Sequence, residues 1–548
     1  MNTPHEMMLT PQDIEAYTSS GAWQNRLLTD ALDDAVQASP DQVASIDPRR
    51  TLTYRELAEE VDLAAHGLLD AGIEPGDVVS IQLPNWSEFV TLILAAHRVG
   101  AVANPLIPIY RDREIGYMAA TAGTRIMFIA REFRGFDYAG MVDRLRPQLP
   151  DLQEAVVVSG EAPEGFTAWS DFLERGRVRR EQEPLDSEAL RPDPNSLALL
   201  MFTSGTTGRP KGVMHTHNTV MAGSLPWPDR LGMGPDTVVH MASTFGHLTG
   251  YLFGVSLPIL LGGTGVFQDV WDPEEFARLV EEHGIEHTSA ATPFLADLLG
   301  VAEKSERDLS SLKRFACMGA PVPRSFITRA KELLPDLAVF GAWGQTEVCL
   351  VTMCHPDDPQ EKLATTDGCA LGQMEVRVVD LDGNGVDAGV EGRIQVRGPF
   401  VFRGYLGMLD KTREEFEGEW FDTGDLATMD EDGYIRLSGR TKDIIIRGGE
   451  NIPVTYVENA LYEHPDLEAV AVVAQEHERL QEIAVAVLVM KEGAQPLTLE
   501  ALREFLQAKG VAKPYWPERV VVVDDFPRTP SGKIQKFKLR QQLVDAAG

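Results

Sequence analysis

The run Thr203-Ser204-Gly205-Thr206-Thr207-Gly208-Arg209-Pro210-Lys211-Gly212 packs glycines, hydroxyls and a lysine into ten residues. Glycine tolerates backbone angles that turn successive N–H groups toward one point. Such a nest binds an anion, and hydroxyls and a lysine add donors and charge. The chemistry this points to is a grip on a triphosphate. A plain surface turn uses the same residue types, so the whole string carries the signal and its glycines alone do not. The common nucleoside-triphosphate loop needs G-x-x-x-x-G-K followed by Ser or Thr. Here Arg209 follows Gly208 and Gly212 follows Lys211, while Ser531-Gly532-Lys533-Ile534 ends in a residue with no hydroxyl to offer magnesium.

Four further stretches carry reactive groups. Trp343-Gly344-Gln345-Thr346-Glu347 offers an aromatic face for a purine, a hydroxyl, and a carboxylate. A carboxylate beside phosphates suits Mg²⁺, which takes one or two carboxylates plus phosphate oxygens. Asp422-Thr423-Gly424-Asp425 is either a type I turn or an acceptor for two adjacent sugar hydroxyls. Pro527-Arg528-Thr529-Pro530-Ser531-Gly532-Lys533-Ile534 makes a rigid exposed loop with Lys533 at its tip, or simply a basic tail. Ile446-Arg447-Gly448-Gly449-Glu450-Asn451-Ile452 allows close backbone approach to a narrow ligand, and reads equally as a strand-turn-helix junction.

The elements around these stretches read as α/β. Leu197–Phe202 is a continuous apolar run that enters the first motif as a buried strand. Thr53-Tyr54-Arg55-Glu56 is a capping box opening a helix that stops near Gly72. Strand 78–83, helix 87–98 and strand 101–104 form a βαβ unit, and strands at 125–130 and 154–159 repeat the pattern. The segment 177–193 reads as an exposed connector, and 251–267 as buried helix plus turn. Strands at 236–241, 315–318 and 337–342 each end in small or polar residues, the second at Gly319-Ala320-Pro321. Ligands of open α/β sheets sit beyond the carboxyl ends of strands, so these ends predict one shared site. From residue 368 to 438 short strands with Gly and Asp turns predict a small β-rich subdomain. The last hundred or so residues predict a small α+β domain, with helices at 454–463 and 499–509 and strands at 467–473 and 482–490. The expected division is 1–441 and 442–548.

Taken together, and in this order, the motifs resemble those of the adenylate-forming superfamily: acyl-CoA synthetases, adenylation domains of peptide synthetases, and luciferases. The resemblance runs from about Thr51 to Arg540. It implies a large N-terminal domain of stacked βαβ sheets with the β-rich subdomain, and a small mobile C-terminal domain hinged at Lys442. It implies that ATP is held by Thr203, Ser204, Gly205, Thr206, Thr207, Gly208 and Lys211, with Gly319, Ala320, Pro321, Trp343, Gly344 and Gln345 around the nucleotide. Thr346 would meet the α-phosphate and Glu347 the Mg²⁺. Asp425 would accept from the ribose, Arg440 would contact ribose and phosphate, and Lys533 would stabilise charge between the acyl carboxylate and the α-phosphate. Gly448, Gly449 and Glu450 would line the pantetheine tunnel of coenzyme A, and His247 would border the acyl and pantetheine channels. Two departures stand out. The family motif at 343 usually opens with Tyr or Phe, and Gly246 intervenes between Phe245 and His247.

Composition sits awkwardly with anionic substrates, so any site for a phosphate or carboxylate must carry its own local positive residues. The 548 residues hold 50 Lys and Arg against 83 Asp and Glu, a net charge of −33. That balance disfavours nucleic acid and anionic membrane as partners. Cys317, Cys349, Cys354 and Cys369 make neither a disulfide framework nor a zinc set, which fits a cytoplasmic protein. No stretch predicts stable membrane insertion. The sequence leaves oligomeric state open, a homo-oligomer included. The acyl pocket would draw on Phe245, Gly246, His247, Met318, Gly319, Val348, Cys349 and Leu350, mostly apolar and without an acid to pair an amino group. The stretches 243–251 and 439–457 look most like cyclohexanecarboxylate and short- to medium-chain fatty acid CoA ligases. The expected substrate is therefore a small-molecule carboxylic acid converted to its CoA thioester. The alternative is a stand-alone adenylating enzyme that loads a carrier protein.

Overall fold

In the computed structural model the strands predicted from apolar runs assemble as parallel sheet, and the helices predicted from stripes cover them. Residues 6–185, 190–203, 210–318, 324–380, 382–440, 445–447, 450–452, 454–477, 481–528 and 534–545 are described. Among them, seven strands form one sheet in the order Lys211–Thr216, Leu197–Thr203, Val102–Pro105, Val78–Gln82, Thr124–Ala130, Glu154–Ser159 and Thr167–Ala168. All its pairings are parallel except the first, which is antiparallel. A second sheet of nine strands has a parallel centre, with Ala338–Gln345, Arg314–Cys317, His287–Ala290, Val238–Met241 and Thr264–Phe267 in that order. Its edges are antiparallel, at Cys349–Met353 and Thr51–Thr53. Strands buried on both faces explain why these runs lack alternation.

The capping box is present: Glu56 N donates to the Thr53 hydroxyl, and Thr53 N donates to the Glu56 carboxylate at 2.8 Å. The helix it opens, Tyr54–Asp70, packs against Trp169–Gln182. That second helix corrects the expected connector over 177–193, whose first residues belong to it. Its buried face is narrow, Phe172 and Gly176, and the rest is charged, so the apolar stripe is faint in sequence. The expectation for 251–267 is also amended. A π-turn Tyr251–Ser256 leads into helix Leu257–Leu261, Gly262 turns the chain, and Thr264–Phe267 is a strand of the large sheet.

The β-rich subdomain is an antiparallel sheet of Glu375–Val379, Gly392–Arg397, Trp420–Met429, Phe416–Glu417 and Ile435–Arg440. A further sheet uses only strands after residue 444, with Leu467–His477 and Gln481–Met490 as its long central pair. Alternate residues of that pair face opposite ways. Val470, Val472, Ala484 and Leu488 meet Leu502 and Leu506 on one side, while Val473, Val485 and Val487 meet Phe526, Leu539 and Leu543 on the other. The architecture is α/β with a smaller α+β C-terminal unit, as the sequence predicts.

Candidate active site

Ala338–Gln345 is longer than the predicted strand: it runs through Ala342 and carries Trp343, Gly344 and Gln345 within the sheet. At Gly344 it pairs with Leu350 of the returning strand, and a Cβ there would stand 2.0 Å from the Cys349 carbonyl oxygen. Only glycine lets the hairpin close so tightly. The hairpin fixes Thr346 and Glu347 at its tip, beyond the carboxyl end of a parallel strand.

Asp422–Asp425 is neither a free turn nor a regular ladder. It lies inside strand Trp420–Met429, where Gln395 faces Asp422 and Arg393 faces Leu426. The extra residues bulge out, with Gly424 at φ +68°. Bulges re-aim side chains next to active sites. This one buries the Asp425 carboxylate under three donors. Trp343 Nε1 donates to Oδ2 at 2.8 Å, Gln345 Nε2 donates to the same oxygen at 2.7 Å, and Arg440 Nε faces Oδ1 at 2.8 Å. Arg440 is the cross-strand neighbour of Asp425, as the last residue of Ile435–Arg440. Two predicted motifs, about eighty residues apart, thus meet through side chains.

Glu347 faces a second group that the sequence does not mark. The Tyr405 hydroxyl donates to its Oε1 at 3.0 Å, and Phe402 N donates to its backbone carbonyl at 2.7 Å. Lys211 Nζ lies 3.9 Å from the centre of the Tyr405 ring and 3.5 Å from Glu415 Oε1. Desolvation pushes the Glu347 carboxyl above its ordinary range, opposed by its own amide, the Lys211 charge, the Tyr405 hydroxyl and the Arg440 charge. Burial and the Glu347 and Glu415 carboxylates push the Tyr405 phenol well up, so it stays a donor. The segment holding Tyr405 is bound to strand Lys211–Thr216: Met214 N donates to Gly404 O, and Leu406 N to Gly212 O. Thr203 and Lys211 are register partners across the antiparallel pair.

Thr346 is held from behind by His215, whose Nε2 lies 2.7 Å from the Thr346 carbonyl oxygen while Nδ1 faces the Thr219 hydroxyl at 3.2 Å. A carbonyl only accepts, so Nε2 carries the proton. Burial lowers this imidazole to about 4, and it is neutral at pH 7. Tyr405, Phe402 and His215 were missed because a lone Tyr, Phe or His carries no spacing signal.

This arrangement has relatives. An AMP-binding enzyme family model matches residues 32–406, and an AMP-binding enzyme C-terminal domain model matches 456–533. The chain belongs to the AMP-binding enzymes. It is 36% identical to the medium-chain fatty-acid–CoA ligase of Escherichia coli K12, over 96% of this chain and 92% of that one. It is 33% identical to the salicyl-AMP ligase/salicyl-S-ArCP synthetase of Mycobacterium tuberculosis, over 98% and 94%. ATP-bound MatB from Rhodopseudomonas palustris superposes with a TM-score of 0.83 at 26% identity, covering 95% of this chain and all of that one. As an adenylate-forming ligase, this AMP-binding enzyme activates an acid with ATP for transfer to a thiol.

The remaining predicted residues divide in two. His247 lies beyond the carboxyl end of Val238–Met241, a strand of the same parallel sheet, and its Nδ1 accepts from Thr249 N at 3.4 Å. Gly246 packs its Cα against the Leu106–Ile107 backbone, 2.8 Å from where a Cβ would sit. Phe245 is fully buried, edge-on to Phe89 and Phe267, and is core rather than channel lining. Glu450 starts a short strand paired with Ile445–Arg447. Ser204, Gly205, Thr206, Thr207, Gly208, Gly319, Ala320, Pro321, Lys442, Gly448, Gly449 and Lys533 lie outside the described residues. No helix among the described residues is long and apolar enough to cross a membrane.

Proposed function

We propose that this enzyme is an acyl-CoA ligase whose acid is alicyclic or a short- to medium-chain fatty acid. The observation that carries the reading is the meeting of Trp343, Gln345 and Arg440 around the buried Asp425 carboxylate, next to Glu347, Tyr405 and Lys211. Such a corner offers an aromatic residue, a carboxylate for sugar hydroxyls and cations for phosphate. In the first half-reaction a carboxylate oxygen of the acid attacks the α-phosphorus of ATP and pyrophosphate leaves. In the second, the CoA thiol attacks the acyl carbonyl, AMP leaves and the thiol proton is lost.

In this reading the 203–212 segment, with Thr203 and Lys211, holds the phosphates, and Thr346 meets the α-phosphate. Asp425 and Arg440 hold the ribose. Glu347 fits a magnesium ion: its carboxylate is braced at one oxygen by Tyr405 and sits where desolvation makes a cation welcome. When bound, Mg²⁺ would neutralise phosphate charge. Lys533 stabilises the charge that develops as the adenylate forms, commonly the largest catalytic contribution. Gly448, Gly449 and Glu450 then face pantetheine, with His247 at the channel border. The division of labour requires the unit after Lys442 to swing between steps, and one residue absorbing the backbone change is how hinges work. The reaction takes place on soluble substrates in the cytoplasm.

The test is pyrophosphate release over a panel of carboxylic acids with Mg-ATP, with and without CoA. Turnover that requires CoA, greatest on alicyclic or medium-chain acids, is expected. A single burst that CoA cannot convert to turnover would instead establish a carrier protein as the acceptor, the reading favoured by the likeness to a salicyl-S-ArCP synthetase. Lys442→Pro should keep adenylation and stall thioester formation; equal loss of both would remove the hinge from Lys442.

A further inference from the structure

Trp343 differs from a Tyr or Phe at the same place in one respect that matters to Asp425: its ring edge carries an N–H donor. Each oxygen of an ionised carboxylate has two in-plane lone pairs. Oδ2 of Asp425 receives Trp343 Nε1 at 2.8 Å and Gln345 Nε2 at 2.7 Å, so both its acceptor positions are taken. Neither donor is free to leave. Trp343 is 5% exposed and sits within a sheet strand. Gln345 spends its other N–H on the Thr423 carbonyl at 2.9 Å. Oδ1 faces Arg440 Nε at 2.8 Å, from the residue paired with Asp425 across the strands, and among the described residues it has one lone pair left. Withdrawing the Trp343 indole donor would leave its N–H unpaired beside a carboxylate that is 6% exposed, which carries the desolvation penalty of an unsatisfied buried donor.

We propose that Trp343 is a specificity-determining residue that restricts Asp425 to a single ribose hydroxyl of ATP. The proposal rests on the reading of Asp425 as the ribose acceptor. A carboxylate open at both oxygens can receive a vicinal diol with one hydroxyl on each. Here the indole N–H occupies the place on Oδ2 that the second hydroxyl would need. The enzyme therefore reads one hydroxyl and is indifferent to its neighbour, and removing the indole donor opens the second position.

The experiment compares kcat/KM for ATP, 2′-deoxyATP and 3′-deoxyATP in pyrophosphate release, for the wild type and Trp343→Phe. In the wild type one analogue should lose about tenfold or more while the other stays within about threefold of ATP, the scale of one hydrogen bond to a charged group. In Trp343→Phe the tolerated analogue should lose about tenfold as well, since both hydroxyls are then read. If Trp343→Phe does not fold, as judged by circular dichroism and thermal denaturation, Gln345→Met opens the same oxygen from its other side and should produce the same change. Equal loss on both analogues in the wild type, or an unaltered pattern in the variant that folds, overturns the proposal. Asp425→Ala separates this from failure of the underlying reading. An ATP KM unchanged by that substitution removes the ribose role itself, whereas a raised KM with equal analogue losses removes only the restriction by Trp343.

Discussion

Asp425 and Glu347 are carboxylates at neighbouring corners of one site, and the protein surrounds them differently. Among the described residues Asp425 takes three side-chain donors, from Trp343, Gln345 and Arg440. Glu347 takes one, the Tyr405 hydroxyl, besides its own amide. A carboxylate filled by fixed donors is a rigid, directional acceptor with little capacity left. One that is desolvated and only lightly braced has charge to give a cation. The difference teaches how, in the proposed function, the two corners would divide the work: Asp425 would position a nucleotide and Glu347 would handle charge that changes during reaction.

That division can be broken most severely at Glu347. Glu347→Gln keeps the shape and an acceptor for Tyr405 but removes the charge. Pyrophosphate release should fall on the order of a hundredfold or more in kcat, the scale of lost transition-state charge stabilisation, with the ATP KM less affected. Asp425→Ala should do the reverse, raising the ATP KM about tenfold and leaving kcat closer to normal, because it removes ground-state positioning. It also strands the Trp343 N–H, so thermal unfolding should show about 1–3 kcal/mol of lost stability. Equal effects of both substitutions on kcat would dissolve the comparison. Tyr405→Phe sharpens it: loss of one hydrogen bond to a charged group predicts a fall of about tenfold. This fall should appear as a higher Mg²⁺ requirement, and as weaker protection against thermal unfolding by Mg-ATP, with no change in discrimination between ATP and its deoxy analogues.

The effect furthest from catalysis is on stability against acid and belongs to the Glu347 corner, through His215. Burial lowers its folded-state value from 6.5 to about 4. Between these values the unfolded chain binds more protons than the folded one. The stabilisation is therefore complete above about pH 6.5 and is lost as pH falls toward 4, by at most about 1.4 kcal/mol per pH unit. Buried His97, also lowered to about 4, adds in the same direction. Denaturant midpoints at pH 7, 6 and 5 measure the slope. His215→Gln, which keeps a donor for Thr346 and cannot protonate, should flatten it.

The sequence by itself determined the fold class, the site's main motifs and their order along the chain. Short apolar runs such as Leu197–Phe202 read as buried strands, and the Thr53–Glu56 capping box is a local device whose partners lie three residues apart. The motifs in their order, through their resemblance to the adenylate-forming superfamily, were enough to point to an adenylate-forming ligase. Only the tertiary structure decided that Asp422–Asp425 is a bulge in a strand rather than a turn, since the ladder that surrounds it comes from residues 392–397 and 435–440. It alone placed Phe245 in the core, behind Phe89 and Phe267. It alone brought Tyr405 to Glu347 and His215 to Thr346, single side chains delivered from 58 and 131 residues away. Hydrogen-bond capacity is a property of neighbours in space. The sequence could name Asp425 as an acceptor, but only the packed sheets reveal that Trp343 and Gln345 have already filled one of its oxygens.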